Sequence, residues 1–261
     1  MFRRSRSSLE NTLRWLRRVM AVILIVLNFV TVMLAGAAPA GQDPQPAFPI
    51  RAAFYYPWFP EAWDQYGIIP YTNYNPSLGL YDGGSQTVLQ QHIAAMQYGG
   101  IQAGIASWWG QGSRTDTRIA GLLQAAAGTN FRWSIYHETE SQGDPSVAQL
   151  TSDLTHIRDR YGNDPSFLWV NGRFVVFVYA AGNDACGMAD RWKQANTVGA
   201  YVVLKVFVGY GNCASQPDSW HQYSPAVAAD HQKGYSYAIS PGFWRARCVA
   251  PVDHTAMGNP S

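Results

Sequence analysis

The stretch GGIQAGIASWWGQG runs from Gly99 to Gly112. Its apolar middle, IQAGIASWW (Ile101–Trp109), has the length and composition of a buried strand, and it ends in two tryptophans followed by glycine. Two large aromatics at the mouth of a loop work against solubility unless they serve a site. The stretch therefore reads as a strand that delivers rings to a site, and its neighbours show what sheet it belongs to.

Outward from there, strands and helices alternate. AAFYYPWF (Ala52–Phe59) reads as a first strand, and QTVLQQHIAAMQYGG (Gln86–Gly100) as an amphipathic helix stopped by glycine. TDTRIAGLLQAAAG (Thr115–Gly128) is a second helix with Thr115 as its N-cap. FRWSIYHE (Phe131–Glu138) is a third strand, DPSVAQLTSDLTHIRDRYG (Asp144–Gly162) a helix and RFVVFVYA (Arg173–Ala180) a fourth strand. ADRWKQAN (Ala189–Asn196) follows as a short helix and AYVVLKVFVG (Ala200–Gly209) as a fifth strand. WHQYSPAVAADHQKG (Trp220–Gly234) is expected to carry a helical turn and YSYAIS (Tyr235–Ser240) a sixth strand.

Continuous apolar runs such as VVFVY and VVLKVFV point to a parallel sheet covered on both sides. A doubly wound nucleotide fold would place a glycine-rich turn after its first strand, and YYPWFPEAW cannot cradle a phosphate. The expected class is α/β, a (β/α)8 TIM-barrel type that is incomplete, with about six of the eight βα units legible.

Such barrels build their sites from the C-terminal ends of strands and the loops after them. Tyr55, Tyr56, Trp58, Trp108, Trp109, Tyr136, Glu138 and Tyr179 all sit where strands are predicted to end, as do Tyr210 and SPGFW (Ser240–Trp244). Aromatics recurring on one rim with few charges suit flat, neutral, polar ligands, of which sugars are the obvious class. Asp116 reads either as part of this site or as an ordinary first-turn acid stabilised by the helix dipole.

Residues 1–40 stand apart. Arg3, Arg4, Arg6, Arg14, Arg17 and Arg18 precede the apolar run VMAVILIVLNFVTVMLAGAAPAG (Val19–Gly41), the layout of a secretory signal with cleavage after Ala38 or Ala40. The run is also nearly long enough to span a bilayer, so an uncleaved membrane anchor over residues 19–36 is the alternative. Either way the expected location is secreted or extracytoplasmic. Residues 41–50 form a Pro-rich linker, 51–245 the barrel domain, and 246–261 (ARCVAPVDHTAMGNPS) an aberrant tail without periodicity.

The leader holds six of the 19 Lys and Arg and one of the 17 Asp and Glu, which leaves 13 against 16 and a net charge near −3. No basic patch remains to suggest nucleic acid. Cys186 and Cys213 could pair in an oxidising compartment, with Cys248 left over, and no cysteine spacing resembles a zinc site. No metal or cofactor is expected, and the oligomeric state is not legible.

FYYPWF, YDGGSQTVLQQHIAAMQYGGIQAGIASWWGQGSRTD, YGNDPSFLWVNGRFVVFVY and YAISPGFW together resemble the glycoside hydrolase family 99-like proteins, retaining endo-α-mannosidase-type barrels, over about Ala52–Trp244. The resemblance implies an α-linked mannose-containing or related glycan as substrate and no cofactor. It implies that Tyr55, Tyr56, Trp108 and Trp109 contact mannose-like rings and that Glu138 hydrogen-bonds sugar hydroxyls. His92 matches a histidine of the family's first helix, where a structural hydrogen bond and a site role are both open. The family's chemistry rests on two glutamates in a late Glu-Trp-x-Glu-Gly-like motif, which this sequence does not contain. Its glutamates after the linker are Glu61, Glu138 and Glu140, so the chain as written is expected to be inactive.

Other carboxylates offer little. Glycosidases need two carboxyl groups flanking the scissile bond, and Glu138 and Glu140 lie on one strand end, on one side of any sugar. His137 alternates with Glu138 and should face away from it, and His156 reads as a solvated helix face. Two rivals to the hydrolase-like reading are a non-catalytic glycan-binding protein and a membrane-anchored participant in polysaccharide assembly.

Overall fold

A computed structural model describes residues 44–72, 75–179 and 184–223, and every structural statement below concerns these. The leader, the strand expected over Tyr235–Ser240, SPGFW, Cys248 and the tail lie outside the described residues.

The chain order is β1 (Ala52–Tyr55), α1 (Gln86–Tyr98), β2 (Ala103–Trp108), α2 (Arg114–Ala126), β3 (Arg132–His137), α3 (Val147–Ile157), β4 (Trp169–Val170), β5 (Arg173–Val178), α4 (Cys186–Ala195), β6 (Tyr201–Lys205) and β7 (Ser219–His221). Local chemistry sets most boundaries. α1 stops where Gly100 takes φ +75° and the Ile101 N–H donates back to the Met96 carbonyl. α2 is capped by Ser113, whose hydroxyl accepts from the Asp116 N–H, and not by the expected Thr115. The Thr115 hydroxyl is engaged instead by the Trp109 N–H. α3 is capped in the same way by Ser146. Asn171 and Gly172, both at positive φ, turn β4 back onto β5 as a two-residue hairpin, a pair the strand-and-helix reading passed over.

Of the stretch Trp220–Gly234 expected to carry a helical turn, the first residues belong to a strand instead, since Ser219–His221 pairs parallel to β6 and Trp220 is buried in the core, while 224–234 lie outside the described residues. A three-residue strand is too short to show periodicity, so its packing decides the matter.

The parallel strands are ordered β1-β2-β3-β5-β6-β7, each βα crossover leading to the next strand. Five gaps of about 4.8 Å would put the edges of a flat sheet about 24 Å apart. Here Phe54 on β1 lies 5.8 Å from His221 on β7, and the hydroxyls of Tyr56 and Tyr223, just beyond those strands, are 2.6 Å apart. The sheet is therefore curled into a half-barrel with an inner and an outer face.

Alternation sorts the side chains. The outer face carries Ala106, Trp108, Trp133, Ile135, Val176, Val178, Val202, Leu204 and Trp220 against the helices. The inner face carries Ala103, Ile105, Tyr136, Val175, Phe177 and Val203, with Phe54, Tyr179, Tyr201 and Tyr223 packed on it. Gly104 marks the tightest outer contact, since a Cβ there would fall 2.1 Å from the Trp133 ring. Cys186 and Cys213 form a disulfide with a Cα–Cα distance of 5.2 Å, tying the start of α4 to the segment after β6. Among the described residues no helix is long and apolar enough to cross a membrane.

Candidate functional site

The inner face becomes polar at the C-terminal ends of its strands. Ser107 on β2, Tyr136 on β3, Glu138 just past β3, Tyr179 just past β5 and Lys205 at the end of β6 share the inner parity of their strands. Tyr56 and Tyr223 close the ring of residues through their hydroxyl contact. Trp58 reaches in from the loop after β1, its indole N–H donating to the Ser107 hydroxyl at 3.1 Å. Ser107 in turn hydrogen-bonds the Glu138 carboxyl.

Glu138 is 5% exposed. Burial pushes its carboxyl up to about 7 and outweighs the Ser107 hydroxyl, which pulls the other way. Near neutrality the group can both donate and accept hydrogen bonds, which fits a partner lined with hydroxyls. Tyr136 is wholly buried, and its hydroxyl has no hydrogen-bond partner among the described residues. Its ring stacks on Tyr223 at 5.8 Å and meets Tyr179 edge-on at 5.7 Å. The Lys205 ammonium lies 4.4 Å from the Tyr179 ring centre and 5.5 Å from that of Tyr223, and burial lowers its pKa. His221 is buried against Phe54, Tyr136 and Phe177, and desolvation pushes it down to about 4, so it is neutral.

Of the residues singled out in the sequence, Tyr56, Trp58, Tyr136, Glu138 and Tyr179 come together here. Trp109 is half-buried just past β2. Three others lie on the wrong side of the sheet. Trp108 is fully buried in the helix layer, its indole N–H donating to Asp116 at 2.7 Å. The period of two that puts Ser107 inside must put Trp108 outside. Asp116 accepts from Trp108, the Gly112 N–H and the Tyr161 hydroxyl, and contacts His156 Nε2 at 3.0 Å. Burial alone would raise its pKa, but those hydrogen bonds outweigh it and hold the carboxyl below its usual range. Asp116 is thus the hub of a structural network, and His156, expected on a solvated face, is one of its partners. Tyr55 packs on Trp133, and its hydroxyl lies 3.0 Å from His92 Nδ1, which gives His92 a structural partner on α1. His137 faces Asp153 on α3 at 3.1 Å, away from Glu138.

Ser107, Lys205, His221 and Tyr223 were missed. The signal for Lys205 was present, a lone cation inside the apolar run VVLKVFV.

A model of glycosyl hydrolase family 99 matches residues 52–205. The chain belongs to glycosyl hydrolase family 99. Two solved structures of the GH99 endo-α-mannosidase from Bacteroides thetaiotaomicron share the fold, one of them in complex with BIS-TRIS-propane. They are 18% and 16% identical to this chain, each superposes with a TM-score of 0.53, and each match covers 68% of this chain. The family-99 chain spans 59% and 62% of the length of those neighbours. No curated protein matches it.

The other glutamates among the described residues of this family-99 chain, Glu61 and Glu140, are committed elsewhere. Glu61 pairs with Arg114 and Arg118. Glu140 accepts from the Trp192 indole at 2.9 Å and pairs with Arg191, so Glu138 and Glu140 do not face each other across a site. Glu140, Asp144 and Asp184 lie close enough together to hold a cation. The Arg191 guanidinium already sits among the three, in contact with each.

Proposed function

We propose that this chain is the exported, glycan-recognising barrel of a family-99 glycoside hydrolase-like protein that takes an α-linked mannose-containing or related glycan on its inner face. The observation that carries the reading is Glu138, a nearly buried carboxyl at a strand end, ringed by Tyr56, Trp58, Tyr136 and Tyr179. The apolar C–H face of a pyranose can lie on an exposed ring such as Trp58, while its hydroxyls reach Glu138. Ser107 steers both partners, accepting from Trp58 and donating to Glu138.

Hydrolysis needs two carboxyl groups on either side of the glycosidic oxygen. Among the described residues Glu138 is the one glutamate on the inner face, and the sequence holds no Glu-Trp-x-Glu-Gly-like pair. These two facts favour binding without turnover for the residues in hand, which is the second reading. Export rests on the basic and apolar pattern of residues 1–40. A leader found uncleaved in a membrane fraction would favour the anchored, polysaccharide-assembly version.

The test is to titrate the full chain with α-linked manno-oligosaccharides by calorimetry and to analyse the same mixtures for new reducing ends. Saturable binding with no new reducing ends is the expected outcome. Absence of binding to any of them would refute the glycan reading, and turnover would refute the binding-only version.

A further inference from the structure

The inner face holds a charge that recognition of a neutral sugar does not use. Lys205 ends β6 with its side chain on the inner face, half-buried, its ammonium over the Tyr179 and Tyr223 rings. Among the described residues it forms no ion pair, whereas Arg114, Arg118, Arg158, Arg173 and Arg191 all do. Ring faces offer an ammonium only a weak partner, and they leave its other N–H groups without an acceptor. The same two rings pack against the Tyr136 ring, whose hydroxyl is wholly buried and has no partner among the described residues. A cation at the end of β6 and the Tyr136 ring, beside Ser107 in the register of β2 and β3, thus adjoin one aromatic wall.

We infer that Lys205 forms a subsite for an anionic substituent on the bound glycan, a carboxylate or an ester sulfate carried by the sugar, and sets the specificity. This rests on the glycan reading above and narrows it from neutral mannose-type sugars to acidic ones. A compact ammonium suits such a group as a point charge. Burial that costs the unpaired ammonium free energy is offset when an anion joins it, so part of the affinity for an acidic glycan is already stored in the site. Glu138 remains for neutral hydroxyls.

The experiment titrates the full chain with methyl α-mannopyranoside, its 6-carboxylate (the mannuronate) and its 6-sulfate, at low and at high salt. Wild-type protein should bind one or both anionic sugars about tenfold or more tighter than the neutral one. That advantage should shrink as salt rises, while neutral binding stays level. Lys205→Met should remove the preference, and Lys205→Arg should keep most of it. The two anionic arms distinguish a carboxylate from a sulfate. Neutral and anionic sugars bound alike by the wild type would overturn this inference alone, as would a preference that survives in Lys205→Met. Failure of all three sugars to bind would overturn it together with the glycan reading. The salt series on the wild-type chain decides the question even if the Lys205 variants misfold.

Discussion

The two faces of the curled sheet use the same residue types in opposite ways. On the outer face Trp108, Tyr55 and His137 each meet a partner from a neighbouring helix: Asp116, His92 and Asp153. On the inner face Tyr136 has a buried hydroxyl with no partner, Lys205 has only rings, and Glu138 has one serine. Both faces hold a buried polar atom without a partner among the described residues, the Tyr136 hydroxyl inside and the Trp133 indole N–H outside, each at a cost on the order of 1–3 kcal/mol. Among the described residues the outer face pairs its polar side chains with helix partners, whereas the inner face gathers Glu138, Lys205 and the tyrosines at the strand ends.

The outer face should break first. Trp108→Ala removes a fully buried indole and the donor to Asp116, and should cost about 3–5 kcal/mol of unfolding free energy in denaturant titration. Gly104→Ala, which drives a methyl into Trp133, belongs to the same class. A loss below about 1 kcal/mol in both would mean that the outer face is not the stabilising one. Next comes the disulfide. Cys186 and Cys213 are 27 residues apart, and a loop of that size stabilises by about 3 kcal/mol in the chain-entropy account. Paired Cys186→Ser and Cys213→Ser changes should lower the denaturation midpoint by a matching amount.

The third prediction concerns pH. Glu138 has a folded pKa near 7, above that of a free glutamate, so the fold binds its proton more tightly than the unfolded chain does. Its contribution is present below the unfolded value and is lost as pH rises through about 7. Glu138→Gln should therefore stabilise the protein at pH 8, on the order of 2 kcal/mol, and leave it level near pH 4. His221 acts in the opposite sense. Its folded pKa near 4 means that its contribution is present above the unfolded value, near 6.5, and fades on acidification. Removing the Glu138 titration should expose that acid-side loss as a steeper fall between about pH 6.5 and 4. A pH profile unchanged by Glu138→Gln would contradict the buried carboxyl.

The smallest stability effect belongs to Trp58, which is 37% exposed. Trp58→Ala should change unfolding free energy by less than about 1 kcal/mol yet weaken glycan binding severalfold. That pairing sets it apart from Trp108, whose loss acts on the fold.

Much of this was legible in the sequence. Apolar runs such as VVFVY and VVLKVFV demanded a buried parallel sheet, and the strand ends pointed to Tyr56, Trp58, Tyr136, Glu138 and Tyr179. The errors have physical causes. Position at a strand end says nothing about which face a ring takes, so Trp108 and Tyr55 were grouped with neighbours of opposite parity. The Asp116 network draws His156 and Tyr161 from a distant segment, and no local pattern encodes that meeting. Lys205 was visible as a cation in an apolar strand, but its significance depends on two tyrosines that only the curl of the sheet brings to it.

The most direct test of the difference between the faces is a calorimetric titration with an α-linked mannobiose, comparing wild type, Glu138→Ala and Glu61→Ala, each checked for cooperative unfolding. The account predicts that Glu138→Ala loses about tenfold or more in affinity while Glu61→Ala, altered on the outer loop, binds as the wild type does. Equal affinity in all three proteins would place the sugar somewhere other than the inner face and contradict the account.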